Sequence, residues 1–139
     1  MKDNNPLTQP FKTAIKTTQA PAPIGTYSQA IQTGSFFYIS GQLGKNPDTG
    51  HLITDDFKAE TEQVFKNLSA VCKACGGDLN HLVKLTIFMT DLSFFSIVNE
   101  TMQTLFSEPY PARSTFQVAA LPAGARIEIE GVMAAGISR

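Results

Sequence analysis

The chain has 139 residues, with eleven Lys and Arg against twelve Asp and Glu, a formal net charge of -1 and 42% apolar side chains. That is material for one domain with one core, and the scattered, nearly balanced charge offers no footprint for nucleic acid and no basic helix for a membrane surface. No run approaches the roughly 20 apolar residues of a membrane helix, and the N-terminus lacks the cationic start and apolar core of a signal peptide, so a cytoplasmic protein is expected.

In chain order, residues 1–19 mix Asn, Thr, Gln, Lys and Pro with few apolar side chains, and a flexible tail is expected there, with one domain over 20–139. Tyr27–Gln32 and Ser35–Gly41 read as two short strands around a Thr33-Gly34 turn, and Asn46-Pro47-Asp48-Thr49-Gly50 as a tight loop. From Asp55 to Cys75, Phe57, Val64, Phe65, Leu68, Val71, Cys72 and Cys75 recur at helical spacing, with Asp55 or Asp56 as cap and Gly76-Gly77 as stop. Val83–Thr90 alternates as a strand. A second helix opens at Asp91 or Ser93, with Phe94, Phe95, Val98, Met102, Leu105 and Phe106 on its buried face, and Pro109 ends it.

Two unusual strands follow, separated by Leu121-Pro122-Ala123-Gly124. In the first, Arg113, Thr115 and Gln117 share a face by parity; around the second, Arg126, Glu128 and Glu130 do. As neighbours these strands would form a polar wall in which a guanidinium holds a small anion while a carboxylate moves protons. The same alternation also describes the solvated faces of ordinary half-exposed strands. The order β, β, α, β, α, β, β predicts an α+β fold: a single mixed β-sheet with two helices packed on one face.

Cys72 and Cys75 have a C-x-x-C spacing, but they fall at the end of a helical pattern rather than its positive N-terminus, and they share the core face. His51 and His81 are isolated from them and from each other, so no metal site is expected. There is no dinucleotide fingerprint or phosphate-cradling loop, and nothing implies a cofactor.

Six motifs in sequence order carry a resemblance: Ala22-Pro23-Ile24-Gly25-x-Tyr27-Ser28-Gln29-Ala30, Ile39-Ser40-Gly41-Gln42, Asn46-Pro47-x-Thr49-Gly50, Val98-Asn99, Pro111-Ala112-Arg113-Ser114 and Ile127-Glu128-Ile129-Glu130. Together they resemble the Rid family of reactive intermediate imine deaminases, also called YjgF, from about Ala20 to the C-terminus. The resemblance implies a chorismate-mutase-like fold, a homotrimer with a cleft at each subunit interface, and hydrolysis of 2-imino acids to 2-oxo acids and ammonia. It places the carboxylate-binding arginine on Arg113, the glutamate of water activation and proton transfer on Glu128, and the site tyrosine on Tyr27. Ser40 and Gly41 fall near the imine, Asn99 lines the site, and Thr115 stands where many members have a cysteine.

Each requirement of imine hydrolysis has a residue. Arg113 offers a bidentate fork that lysine lacks, and Glu128 a carboxylate to orient water and shuttle a proton; Glu130 shares its face, so parity does not separate the two. Ser114 has no histidine base at any readable spacing, which argues against covalent catalysis. Two other functions fit the same fold: a binder of small metabolites or proteins, which needs no acid/base carboxylate, and an RNA-cleaving translation inhibitor, as relatives have been described. The chain lacks aromatics interleaved with Lys and Arg, and no nucleic-acid partner is expected.

Overall fold

The computed structural model describes residues 11–134. Eight regular elements follow one another: β1 (Thr13–Ile15), β2 (Ala30–Thr33), β3 (Phe36–Leu43), α1 (Phe57–Ala74), β4 (Leu82–Met89), α2 (Phe95–Leu105), β5 (Ala112–Gln117) and β6 (Ile127–Ala134). The six strands form one sheet in the order β1-β2-β3-β6-β4-β5, antiparallel except for the β4–β5 pair. The expected α+β architecture, one mixed sheet with two helices, is what forms.

Local chemistry explains the boundaries. Asp56 caps α1 by accepting a hydrogen bond from the Ala59 N–H at 2.7 Å, and Gly76 leaves the helix at φ +92°, open to a residue without Cβ. Asp91 caps the short turn that leads into α2 through the Ser93 N–H at 2.9 Å. The β2–β3 turn passes through Gly34 at φ +60°.

The core lies between the sheet and the helices. Phe37 and Ile39 of β3, Leu85, Ile87 and Met89 of β4, and Ile127, Ile129 and Met133 of β6 are buried against Val64, Phe65, Leu68, Val71 and Cys72 of α1 and Val98 and Met102 of α2. At about 25 cal/mol per Å² of apolar surface, this one layer carries most of the folding drive. Phe94 and Leu105 do not join the core as the helical spacing suggested. Both are more than a third exposed; Phe94 lies outside α2 and stacks on Phe57 with centroids 4.9 Å apart. Cys72 and Cys75 are buried free thiols, and burial pushes them up to about 12 and about 11, so both stay protonated at neutral pH.

Two expectations are corrected. The tail expected over 1–19 is in part structured. β1 pairs with β2 from Thr13 opposite Gln32 to Ile15 opposite Ala30, and the buried side chain of Gln29 binds the next segment through the Thr17 N–H at 2.7 Å and the Thr17 and Pro21 carbonyls at 3.0 and 2.9 Å. Residues 1–10 of that tail lie outside the described residues. The polar wall does not form either, because β4 lies between β5 and β6. Arg113, Thr115 and Gln117 stand beside Leu85, Ile87 and Met89 and so face the helices, whereas Glu128 and Glu130 stand beside Phe88 and Thr86 on the opposite face.

Candidate functional site

The residues singled out in the sequence fall into two groups on opposite faces of the sheet. The first surrounds Glu128. Between Ile39 and Gln42 the β3–β6 register slips, so that Ser40 and Gly41 together oppose Glu130 alone. Such a bulge bends the strand and re-aims its side chains, and here it opens room for the carboxylate of Glu128. A Cβ on Gly41 would lie 2.2 Å from Glu128 Oε2 and 2.8 Å from its Cδ. Only glycine leaves that space. Tyr27, Ser40, Gly41, Pro122 and Glu128 line a cavity of about 400 Å³.

The polar groups of this cavity have defined states. Ser40 Oγ donates to the Ser28 carbonyl at 2.6 Å and the Ser40 N–H donates to the Gln29 carbonyl at 3.0 Å, so the hydroxyl faces any ligand as an acceptor. Tyr27 is half exposed, with its hydroxyl 3.4 Å from the Ile24 N–H. Burial, and secondarily the neighbouring charge of Glu130, raises Glu128 above the usual carboxylate range. A raised carboxylate gives and takes protons closer to neutrality, as a group that alternates between base and acid should.

That shift has a stability consequence. The folded protein holds the Glu128 proton more tightly than the unfolded chain, so this group's contribution to stability is fully present below the ordinary carboxylate pKa and is lost as pH rises through the folded value. Glu128→Gln is therefore expected to melt above the parent at neutral pH, with the difference vanishing in acid. Thermal unfolding at pH 3.5 and pH 7.5 checks this, and an equal or lower melting temperature at pH 7.5 would contradict it.

The second group surrounds Arg113 on the helix side, where Asn99, Met102, Gln103, Tyr110, Pro111 and Arg113 line a cavity of about 390 Å³. Asn99 Oδ1 accepts from Arg113 Nη1 at 2.7 Å, Met102 Sδ lies 3.4 Å from the same nitrogen, and the guanidinium carbon sits 5.0 Å from the centre of the Phe95 ring. The side chain is thus held by hydrogen bonds from Nη1 to Asn99 and to the Met102 sulfur and by a cation–π contact, with its other donors left for an anion. Thr115 Oγ1, on the same strand, is buried with no hydrogen-bond partner among the described residues.

Two side chains depart from their sequence assignments. Arg126 does not lie beside Glu128; it precedes β6, and its Nε donates to Glu60 of α1 at 2.6 Å. Ser114 accepts from Lys84 Nζ at 3.1 Å and lines neither cavity. Sequence reading missed Glu60, which looks like an ordinary polar helix residue yet is fully buried, and the role of Phe95, which was assigned to the core rather than to the guanidinium. A larger cavity of about 670 Å³, between α1 and α2, holds none of the anticipated site residues.

The Endoribonuclease L-PSP family model matches residues 17–135. The chain is 46% identical over 126 residues to the 2-iminobutanoate/2-iminopropanoate deaminase of Mus musculus, covering 91% of this chain and 93% of that protein. It is 47% identical to Reactive Intermediate Deaminase A, chloroplastic, of Arabidopsis thaliana, over 86% of this chain and 64% of the plant protein. Among solved structures, RidA from the Antarctic bacterium Psychrobacter sp. PAMC 21119 superposes with a TM-score of 0.85 at 51% identity, covering 88% of this chain and 98% of that one.

Proposed function

The chain belongs to the Rid (YjgF) family, and from that premise we propose that it is a 2-iminobutanoate/2-iminopropanoate deaminase, a hydrolase of C=N bonds. The observation that carries the chemistry is the Glu128 carboxylate seated in the bulge against Gly41, raised by burial and open to a cavity with Tyr27 and Ser40. Arg113 grips the substrate carboxylate through its free donors. Glu128 takes a proton from water as the oxygen attacks carbon 2, and that proton passes to the nitrogen. The hydroxyl proton of the resulting carbinolamine then passes through Glu128 to the amino nitrogen as the C–N bond breaks, and 2-oxo acid and ammonia leave. Ser40 Oγ, restricted to accepting, is suited to an imine N–H.

Arg113 and Glu128 face opposite sides of the sheet. That separation supports a site shared between copies, with Arg113 at the β5 edge of one and Glu128 on the open face of the next. That open face carries Phe36, Tyr38 and Phe116, each about half exposed, which supports a face covered by another subunit. A cyclic homotrimer closes such a head-to-tail contact. The alternative of RNA cleavage has less support, because these aromatics share their face with Glu128 and Glu130 rather than with a row of cations.

The test is a coupled assay in which an amino acid oxidase or dehydratase releases 2-iminobutanoate or 2-iminopropanoate and 2-oxo acid formation is followed. Acceleration by the protein is expected. No acceleration over free solution by a folded, assembled sample would sink the deaminase assignment for these substrates.

A further inference from the structure

We infer that Glu60, buried in α1 on the far side of the sheet from Glu128, is a positioning residue for the site, acting through Arg126 on the loop and strand that present Glu128. The inference rests on the deaminase assignment and deepens it. Glu60 is fully buried and spends both carboxylate oxygens on one residue 66 positions away. Oε1 accepts from Arg126 Nε at 2.6 Å and Oε2 from the Arg126 backbone N–H at 2.8 Å. Gripping main chain and side chain together fixes the path of the backbone as well as the place of a charge. The Arg126 carbonyl in turn accepts from the Thr90 N–H at 3.1 Å, and Glu128 follows two residues on.

The same helix holds the opposite wall of the Glu128 cavity. A Cβ on Gly44 would lie 2.6 Å from the Glu60 carbonyl oxygen and 2.7 Å from its Cγ, so the chain leaving β3 passes directly over this residue. Seven residues along α1, buried Asn67 donates to the Leu43 and Lys45 carbonyls at 2.9 and 2.8 Å. Leu43 and Lys45 line the Glu128 cavity on one side, and Pro122 and Ala123 of the loop before Arg126 line it on the other. Ala123 sits at φ +60°, a left-handed conformation that costs a residue with a Cβ, three residues before the anchored Arg126.

Stability alone does not require this arrangement. A buried ion pair gains little over a well-packed apolar pair, because desolvation offsets the attraction. Two directional bonds to one residue do what an apolar contact cannot, which is to set the orientation of the segment that carries Glu128. A general base displaced by about 1 Å loses on the order of 10²-fold in rate.

The experiment compares the full-length protein with Glu60→Gln, which keeps the shape but loses one acceptor, and with Glu60→Leu/Arg126→Leu, which replaces the pair by apolar bulk should the single variant fold poorly. Melting temperature, kcat and KM are measured for 2-iminobutanoate in the coupled assay, with rates referred to folded protein. The expected result is a fall in kcat of roughly tenfold to a hundredfold in both variants with KM changed far less, while the double variant melts near the parent. Parental kcat in either folded variant, whatever the melting temperature, would show the pair to be structural only and overturn the inference. A parent that does not accelerate hydrolysis would overturn the deaminase assignment and the inference with it, so the two failures are distinguishable.

Discussion

Arg113→Ala is expected to lower kcat/KM for 2-iminobutanoate by about 10²–10⁴-fold, the loss of two charge-assisted hydrogen bonds at about 1.5–3 kcal/mol each. Most of the loss should appear in KM, since the carboxylate is gripped alike in the ground and transition states. Stability should change little: the guanidinium is partly exposed, and what it loses is a hydrogen bond to Asn99, a weaker one to the Met102 sulfur and a contact with Phe95 worth about 0.5–1 kcal/mol. Arg113→Lys retains charge but not the fork, and should recover only a small part of the activity. Steady-state kinetics and thermal melts check all three statements, and near-parental KM in Arg113→Ala would exclude this residue as the carboxylate grip.

Gly41→Ala is expected to be nearly as damaging by a different route. Its Cβ would lie 2.2 Å from Glu128 Oε2, so the carboxylate has to swing away from the place where it meets water. Loss of a positioned general base costs about 10²–10⁴ in rate, and here it should appear in kcat. Because the obstructed atoms are the end of a flexible side chain, the fold should tolerate the change. Gly34→Ala supplies the contrast: at φ +60° with nothing within 4 Å, it should cost about 1–2 kcal/mol of stability and leave kcat unchanged. A Gly41→Ala variant with parental kcat would separate the bulge from catalysis.

The elements of the fold were readable because their signals are local. The spacing of Val64, Phe65, Leu68, Val71 and Cys72 describes α1 as it forms, and the alternation of Leu85, Ile87 and Met89 describes β4. β1 was not readable, since three residues held by backbone pairing to β2 leave no periodic trace. At the site, parity placed Glu128 with Glu130 and Arg113 with Thr115, but parity says nothing about which strands adjoin. The insertion of β6 between β3 and β4 is a tertiary choice, driven by burying Ile127, Ile129 and Met133 under α1, and it carries Glu128 to the face away from Arg113. Arg126 looked like part of the Glu128 row because its partner, Glu60, lies 66 residues upstream in a helix where Glu is commonplace.

Complementation between Arg113→Ala and Glu128→Ala, co-expressed in equal amounts and assayed for 2-iminobutanoate hydrolysis, distinguishes a site shared between subunits from one contained in a single chain. If each site takes Arg113 from one copy and Glu128 from its neighbour, random assembly of closed trimers restores about one site in four, and the mixture should show about a quarter of the parental activity although each variant alone is nearly inactive. A mixture no more active than the two variants assayed separately would contradict a site shared between subunits.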